Sequence, residues 1–113
     1  MQLSERKIGD VVIVDVSGKI TLGDGGDQVL KDKMRSLVQQ GHGKLLLNLG
    51  DVSYVDSAGL GEIVQAYATT SKMGGSLKLL NATKRIKDLL SITKLLTVFQ
   101  TFDNEAEAIK SFG

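Results

Sequence analysis

Apolar and polar residues change rhythm several times along this chain, and each change marks an expected element. Leu3 to Ile8 reads as a first strand, and Gly9-Asp10 is a turn signal leading into Val11-Val12-Ile13-Val14-Asp15-Val16. That second run is β-branched and too continuously apolar to have one face in water, which places it inside a sheet. Gly18 is expected to end it, with a loop from Lys19 to Gly26. A helix is predicted from about Asp27 to Gln40, burying Leu30, Met34, Leu37 and Val38, with Gly41 as its C-cap.

Lys44-Leu45-Leu46-Leu47-Asn48-Leu49 is an apolar run of strand length that Gly50-Asp51 is expected to break. Val52-Ser53-Tyr54-Val55 then carries the chain to Asp56-Ser57-Ala58-Gly59-Leu60-Gly61. From there Leu60, Ile63, Val64, Tyr67 and Ala68 recur at helical spacing, which predicts a buried stripe with Glu62, Gln65, Thr69 and Lys72 on the solvent side. Ser76 to Leu80 reads as a further strand, and Thr83 as the cap of a short helix through about Leu90 that turns Ile86, Leu89 and Leu90 inward. Leu95-Leu96 and Val98-Phe99 suggest a late edge strand. Asp103 or Asn104 then caps a last helix carrying Ala106, Ala108, Ile109 and Phe112.

Strands alternating with helices imply parallel pairing and right-handed crossovers, while the tight turn at Gly9-Asp10 implies one antiparallel pair at the start. The expected class is α/β: one domain over residues 1–113, with a mixed sheet of four or five strands and about four helices. Loops at the carboxyl ends of parallel strands converge, so Ser57 is expected near Thr21 to Asp24 and near Asn81 to Thr83.

Composition narrows the function. Fourteen basic residues against thirteen acidic ones leave a net charge of +1, which gives no electrostatic case for nucleic acid or an anionic membrane. There is no cysteine, hence no disulfide or thiol chemistry. The polar start, Met1-Gln2-Leu3-Ser4-Glu5-Arg6-Lys7, is unlike a signal peptide, and no apolar run approaches the roughly 18 residues that span a bilayer. A cytoplasmic protein without a cofactor is expected.

Several candidate motifs carry little. Gly23-Asp24-Gly25-Gly26 lacks the lysine-serine pair of a phosphate-binding loop and reads as an ordinary loop. His42, the sole histidine, stands between two glycines with no ligand or nucleophile beside it. Lys84, Arg85 and Lys87 form a small basic cluster, read either as a solvated face or as a dock for an acidic partner. Gly59-Leu60-Gly61 lacks the third glycine of a dinucleotide fingerprint.

The hexapeptide is more informative. Asp56 and Ser57 precede the first periodic residue, where a side-chain oxygen can accept from the free N–H groups of a helix start. Capping alone explains them. It does not explain Gly59 and Gly61, each of which costs about 1 kcal/mol against alanine inside a helix. Small residues there leave the Ser57 hydroxyl open to a large visitor and let another backbone come close.

Together with Leu47-Asn48-Leu49 and Tyr54-Val55 before it, the hexapeptide resembles the signature of STAS domains, in particular the bacterial anti-sigma factor antagonists. The resemblance runs from the N-terminal strand pair to the last helix. It implies a STAS fold and a module that binds an anti-sigma factor serine kinase, thereby freeing a sigma factor and regulating transcription indirectly. It further implies that the kinase, using its own ATP and magnesium, phosphorylates Ser57 and that a serine phosphatase resets it.

Partner contacts are then expected from Thr21, Asp24, Asp56, Ser57, Ala58, Gly59, Leu60, Gly61, Asn81 and Thr83. Leu60 and Ala58 would supply the apolar centre of that surface, and Asp56 would orient the serine or its amides. One departure stands out: the sporulation branch of the family tends to carry an acidic residue in the loop after the second strand, where this chain has Gly18-Lys19-Ile20-Thr21. STAS modules also serve as accessory subunits of lipid and anion transport complexes, which is the alternative assignment. A serine hydrolase is disfavoured, because the G-x-S-x-G elbow is missing and His42 is a poor general base.

Overall fold

A computed structural model describes residues 1–21 and 29–113. Five strands and four helices are formed among these residues: β1 (Gln2–Ile8), β2 (Val11–Ile20), α1 (Val29–Gln39), β3 (Lys44–Val55), α2 (Ser57–Lys72), β4 (Ser76–Leu80), α3 (Lys84–Ile92), β5 (Thr101–Phe102) and α4 (Glu105–Lys110). The strands lie side by side in the order in which they occur along the chain. β1 pairs antiparallel with β2, and every later pair is parallel. This is the mixed sheet expected of the sequence, with the strongly apolar β2 between two neighbours.

Alternation of side chains along the strands divides the core in two. Val12, Val14 and Val16 join Leu45, Leu47 and Leu49 and Leu77 and Leu79 on one face, packed against Leu30, Met34 and Leu37 of α1, Ile63 and Ala66 of α2, and Ile86 and Leu90 of α3. On the opposite face Val11, Ile13, Leu46 and Leu80 pack with Ala108 of α4, helped by Phe102, Ile109 and Phe112. The larger cluster fixes α2, whose N-terminus carries the hexapeptide.

Several expectations need correction. β2 does not stop at Gly18: it continues to Ile20 through register shifts between Asp15 and Ser17 and between Gly18 and Lys19, and Gly18 accommodates the irregularity at φ +88°. Nor do Gly50-Asp51 break β3, because Ser17 and Gly18 of the extended β2 pair with Asp51 and Val52 and hold that stretch in the sheet. Thr21 directly follows β2, whereas Asp24, with the rest of residues 22–28, lies outside the described residues.

The late edge strand is Thr101–Phe102 and not 95–99. Residues 95–99 are turn and bend backbone, from which Phe99 alone is fully buried, against Tyr67 at a ring separation of 4.9 Å.

In α2 the buried side is Gly59, Leu60, Glu62, Ile63, Ala66 and Thr70. The stripe is therefore rotated from the expected one. Glu62, expected in solvent, is 2% exposed, and Ala68, expected inside, is exposed. The physical reason is that α2 packs on α1 as well as on the sheet, so the angle over which it is covered is wider than one apolar stripe.

Candidate functional site

The first turn of α2 is held from two directions. Asp56 adopts an extended conformation as N-cap, and its Oδ1 accepts a hydrogen bond from the Gly59 amide at 2.7 Å. The Leu60 amide donates to the Asp56 carbonyl at 2.9 Å, closing the first helical turn. From the other side, the end of β2 presses against Gly59: a Cβ on this residue would stand 1.7 Å from the Ile20 carbonyl oxygen and 2.6 Å from its carbon. Only glycine fits there. Another strand's backbone does come close at Gly59, whereas an added Cβ at Gly61 would touch nothing among the described residues.

On this fixed turn Ser57 and Ala58 are exposed. Ser57 is the first helical residue, so its hydroxyl points from a helix start whose amides are only partly satisfied. Leu60 is 4% exposed and belongs to the core, which corrects its expected part in an apolar docking centre. The apolar group that does reach solvent here is Tyr54, 47% exposed near the end of β3 and opposite Lys19 of β2.

The pattern of the STAS domain family matches residues 2–108. The chain belongs to the STAS domain family. The anti-sigma-B factor antagonist of Bacillus subtilis is 42% identical to it over 82 residues, which cover 73% of this chain and 72% of that relative. The crystal structure of a Thermotoga maritima protein is 25% identical with a TM-score of 0.83, covering 96% of this chain and 92% of the other. The phosphorylated form of the Bacillus cell fate determinant SpoIIAA shares the fold at 18% identity, with a TM-score of 0.74 and coverage of 99% and 100%.

Within this STAS domain the three expected loops are only partly united. The Ile20 contact with Gly59 brings the end of β2, and hence Thr21, to the hexapeptide. The start of α3 joins it through Arg85, whose Nε donates to the Val55 carbonyl at 3.4 Å. Thr83 is the cap of α3, its hydroxyl accepting from the Ile86 amide at 3.3 Å. Asn81, in a left-handed conformation at φ +55°, turns its amide the other way, to Asn48 Oδ1 at 3.3 Å.

That contact ends a row of polar groups crossing the α4 face of the sheet. Asn48 Nδ2 donates to Asp15 Oδ1 at 2.7 Å, and Arg6 Nε donates to Asp15 Oδ2 at 2.6 Å. Arg6 Nη2 reaches Glu105 Oε1 at 2.6 Å. The Asp15 carboxyl is held below the usual carboxylate range, chiefly by the Arg6 hydrogen bond with Asn48 assisting, against the opposing effect of burial. Sequence reading missed this row. Its trace is a polar residue in each of two adjacent apolar runs, Asp15 and Asn48, which pair directly in the β2–β3 register.

Among the clefts of the described residues are one of about 160 Å³ at Gln2, Ser4, Asp15, Ser17 and Asp51 and one of about 100 Å³ at Tyr67, Ser71, Lys78 and Gln100. Both fall well short of the roughly 300 Å³ at which small-molecule sites begin, and neither is lined by the hexapeptide. Ser57 and Ala58, exposed at the start of α2, line neither cleft. No described helix is long and apolar enough to cross a membrane.

Proposed function

We propose that this chain is an anti-sigma factor antagonist in which the Ser57 hydroxyl is a phosphorylation switch. The observation that carries the reading is an exposed serine on a turn that Asp56 and Gly59 hold rigid. The name and 42% identity of the Bacillus subtilis relative support the antagonist assignment. The phosphorylated SpoIIAA structure supports compatibility of this fold with the modification.

Unmodified protein binds an anti-sigma factor serine kinase through Thr21, Asp24, Tyr54 and the exposed part of the hexapeptide, and so frees a sigma factor. In the kinase's site the Ser57 oxygen attacks the γ-phosphorus of ATP; an O–P bond forms, the bond to ADP breaks, and the hydroxyl proton passes to a base of the kinase. ATP and magnesium belong to the kinase, a serine phosphatase reverses the step, and the antagonist itself supplies no catalysis. The protein acts in the cytoplasm.

The switch works because the same charge has different consequences in two settings. In the free domain the amides and dipole at the start of α2 favour an anion while Asp56 repels it, so the fold is little disturbed. At an interface, a desolvated dianion of about −1.5 to −2 charges costs several kcal/mol, equivalent to a hundredfold or greater loss of affinity.

The test is intact-mass analysis and calorimetric binding with the candidate kinase. Phosphate is expected on wild type and not on Ser57→Ala. Ser57→Asp is expected to bind at least tenfold more weakly with an unchanged melting temperature. Equal affinities of wild type and Ser57→Asp would refute the switch.

A further inference from the structure

The basic cluster at the start of α3 is not uniform. Lys87 is directed away from the hexapeptide, with its Nζ 3.4 Å from Asp103 Oδ1. Arg85 instead folds back over the end of β3, and its Nε donates to the carbonyl of Val55. At 3.4 Å this is a long bond near the limit of a useful one. It engages one of the five guanidinium donors, and no carboxylate partner of Arg85 is found among the described residues. A charged side chain laid across a strand end by one weak contact is available to a better acceptor.

Ser57 offers a place for such an acceptor. It stands two positions after Val55, with only Asp56 between, a span of at most about 7 Å even when fully extended. The hydroxyl is exposed, and a phosphoryl group on it would extend outward with three acceptor oxygens. The planar guanidinium fork matches two of those oxygens at once, which a lysine ammonium cannot do. Among the described residues, Asp56 adjoins Ser57 with its Oδ1 engaged by the Gly59 amide, and Lys84 and Lys19 are exposed. A cation brought to the phosphate also offsets its repulsion by the Asp56 carboxylate.

We propose that Arg85 is an intramolecular clamp for the phosphoryl group of Ser57, exchanging its contact with the Val55 carbonyl for a bidentate one with the phosphate. The proposal rests on the reading of Ser57 as the modified residue and adds how the modified state is held. It makes phosphorylation do two things: place a dianion on the docking surface, and draw a cation out of the surface offered to the partner. Arg85 is a positioning residue in this scheme and takes no part in phosphoryl transfer.

The test uses full-length protein carrying phosphoserine encoded at position 57, so that no kinase is needed. Phosphorus NMR titration of the wild-type phosphoprotein is expected to show the second ionisation lowered by about 0.5–1 pH unit from its ordinary value near 6, because the guanidinium favours the dianion. Arg85→Ala and Arg85→Gln are expected to return it to the ordinary value, and Arg85→Lys to restore part of the shift. The proton-nitrogen resonance of Arg85 Nε is expected to move on phosphorylation.

All three unphosphorylated variants are expected to keep the wild-type melting temperature, since the side chain is exposed. A phosphate that titrates identically in wild type and the Arg85 variants overturns the clamp. That result leaves the role of Ser57 intact, which fails separately if the kinase places no phosphate on wild-type protein.

Discussion

The carbonyl oxygen of Ile20 occupies the place where any side chain on residue 59 would begin, 1.7 Å from the ideal Cβ. β2 ends against the first turn of α2 because residue 59 has no side chain, so the register of strand end and helix start is set by backbone contact. Gly59→Ala must displace one of them. Neither is the free end of a flexible side chain. The expected cost is about 2–4 kcal/mol, which corresponds to a fall of roughly 10 °C or more in melting temperature for a domain of this size. Calorimetry or a urea titration measures it.

Gly61 gives the opposite expectation. Its Cβ would meet no atom within 4 Å and it lies inside α2, so Gly61→Ala should stabilise the fold by about 0.5–1 kcal/mol through helix propensity and reduced freedom of the unfolded chain. If Gly61 instead leaves room for the partner, the same variant binds the kinase more weakly while melting higher. Measuring both on one sample separates the effects.

The polar row predicts a pH dependence. The Asp15 carboxyl is lowered by Arg6, so its contribution to stability is fully present above the unfolded value of about 3.9 and is lost as pH falls through the lower folded value. Wild-type stability should therefore fall as pH drops below about 4, more steeply than that of Asp15→Asn, which lacks the titrating group. Arg6 is 42% exposed, so solvent screening keeps the effect modest. Urea titrations across that range provide the comparison.

Tyr54 supplies the binding prediction. It is 47% exposed, three residues before Ser57, and Leu60 is too deeply buried to serve as the apolar contact. Tyr54→Ala should weaken kinase binding about tenfold or more and leave the melting temperature within about 2 °C, because the ring contributes little to the core. A wild-type affinity would remove Tyr54 from the docking surface.

Much of the fold and the centre of the site were legible in the sequence. Apolar rhythm gave all four helices and four of the five strands, since those segments bury a regular face against one neighbour. It failed where a second neighbour intervened. Gly50-Asp51 reads as a break until β2 is known to continue beside it, and Glu62 reads as solvent-facing until α2 is known to pack on α1 as well as on the sheet. Thr101–Phe102 is too short for any period to declare it. At the site, Asp56 and the close approach at Gly59 were readable from local chemistry. The backward fold of Arg85 and the sharing of Asp15 between Arg6 and Asn48 were not, because each links residues far apart in the chain.

The strand order β1-β2-β3-β4-β5 also bears on synthesis. Each strand is laid beside the one made just before it, so a nascent chain never has to keep a gap open for a late insertion. Assembly can follow the ribosome, with loops closing over short separations and little unpaired edge exposed while waiting. The packing of Val11, Ile13 and Leu46 on Ala108, and the tie between Arg6 and Glu105, 99 positions apart, await the last helix. A fold of this strand order can therefore be ready almost as soon as it has been translated.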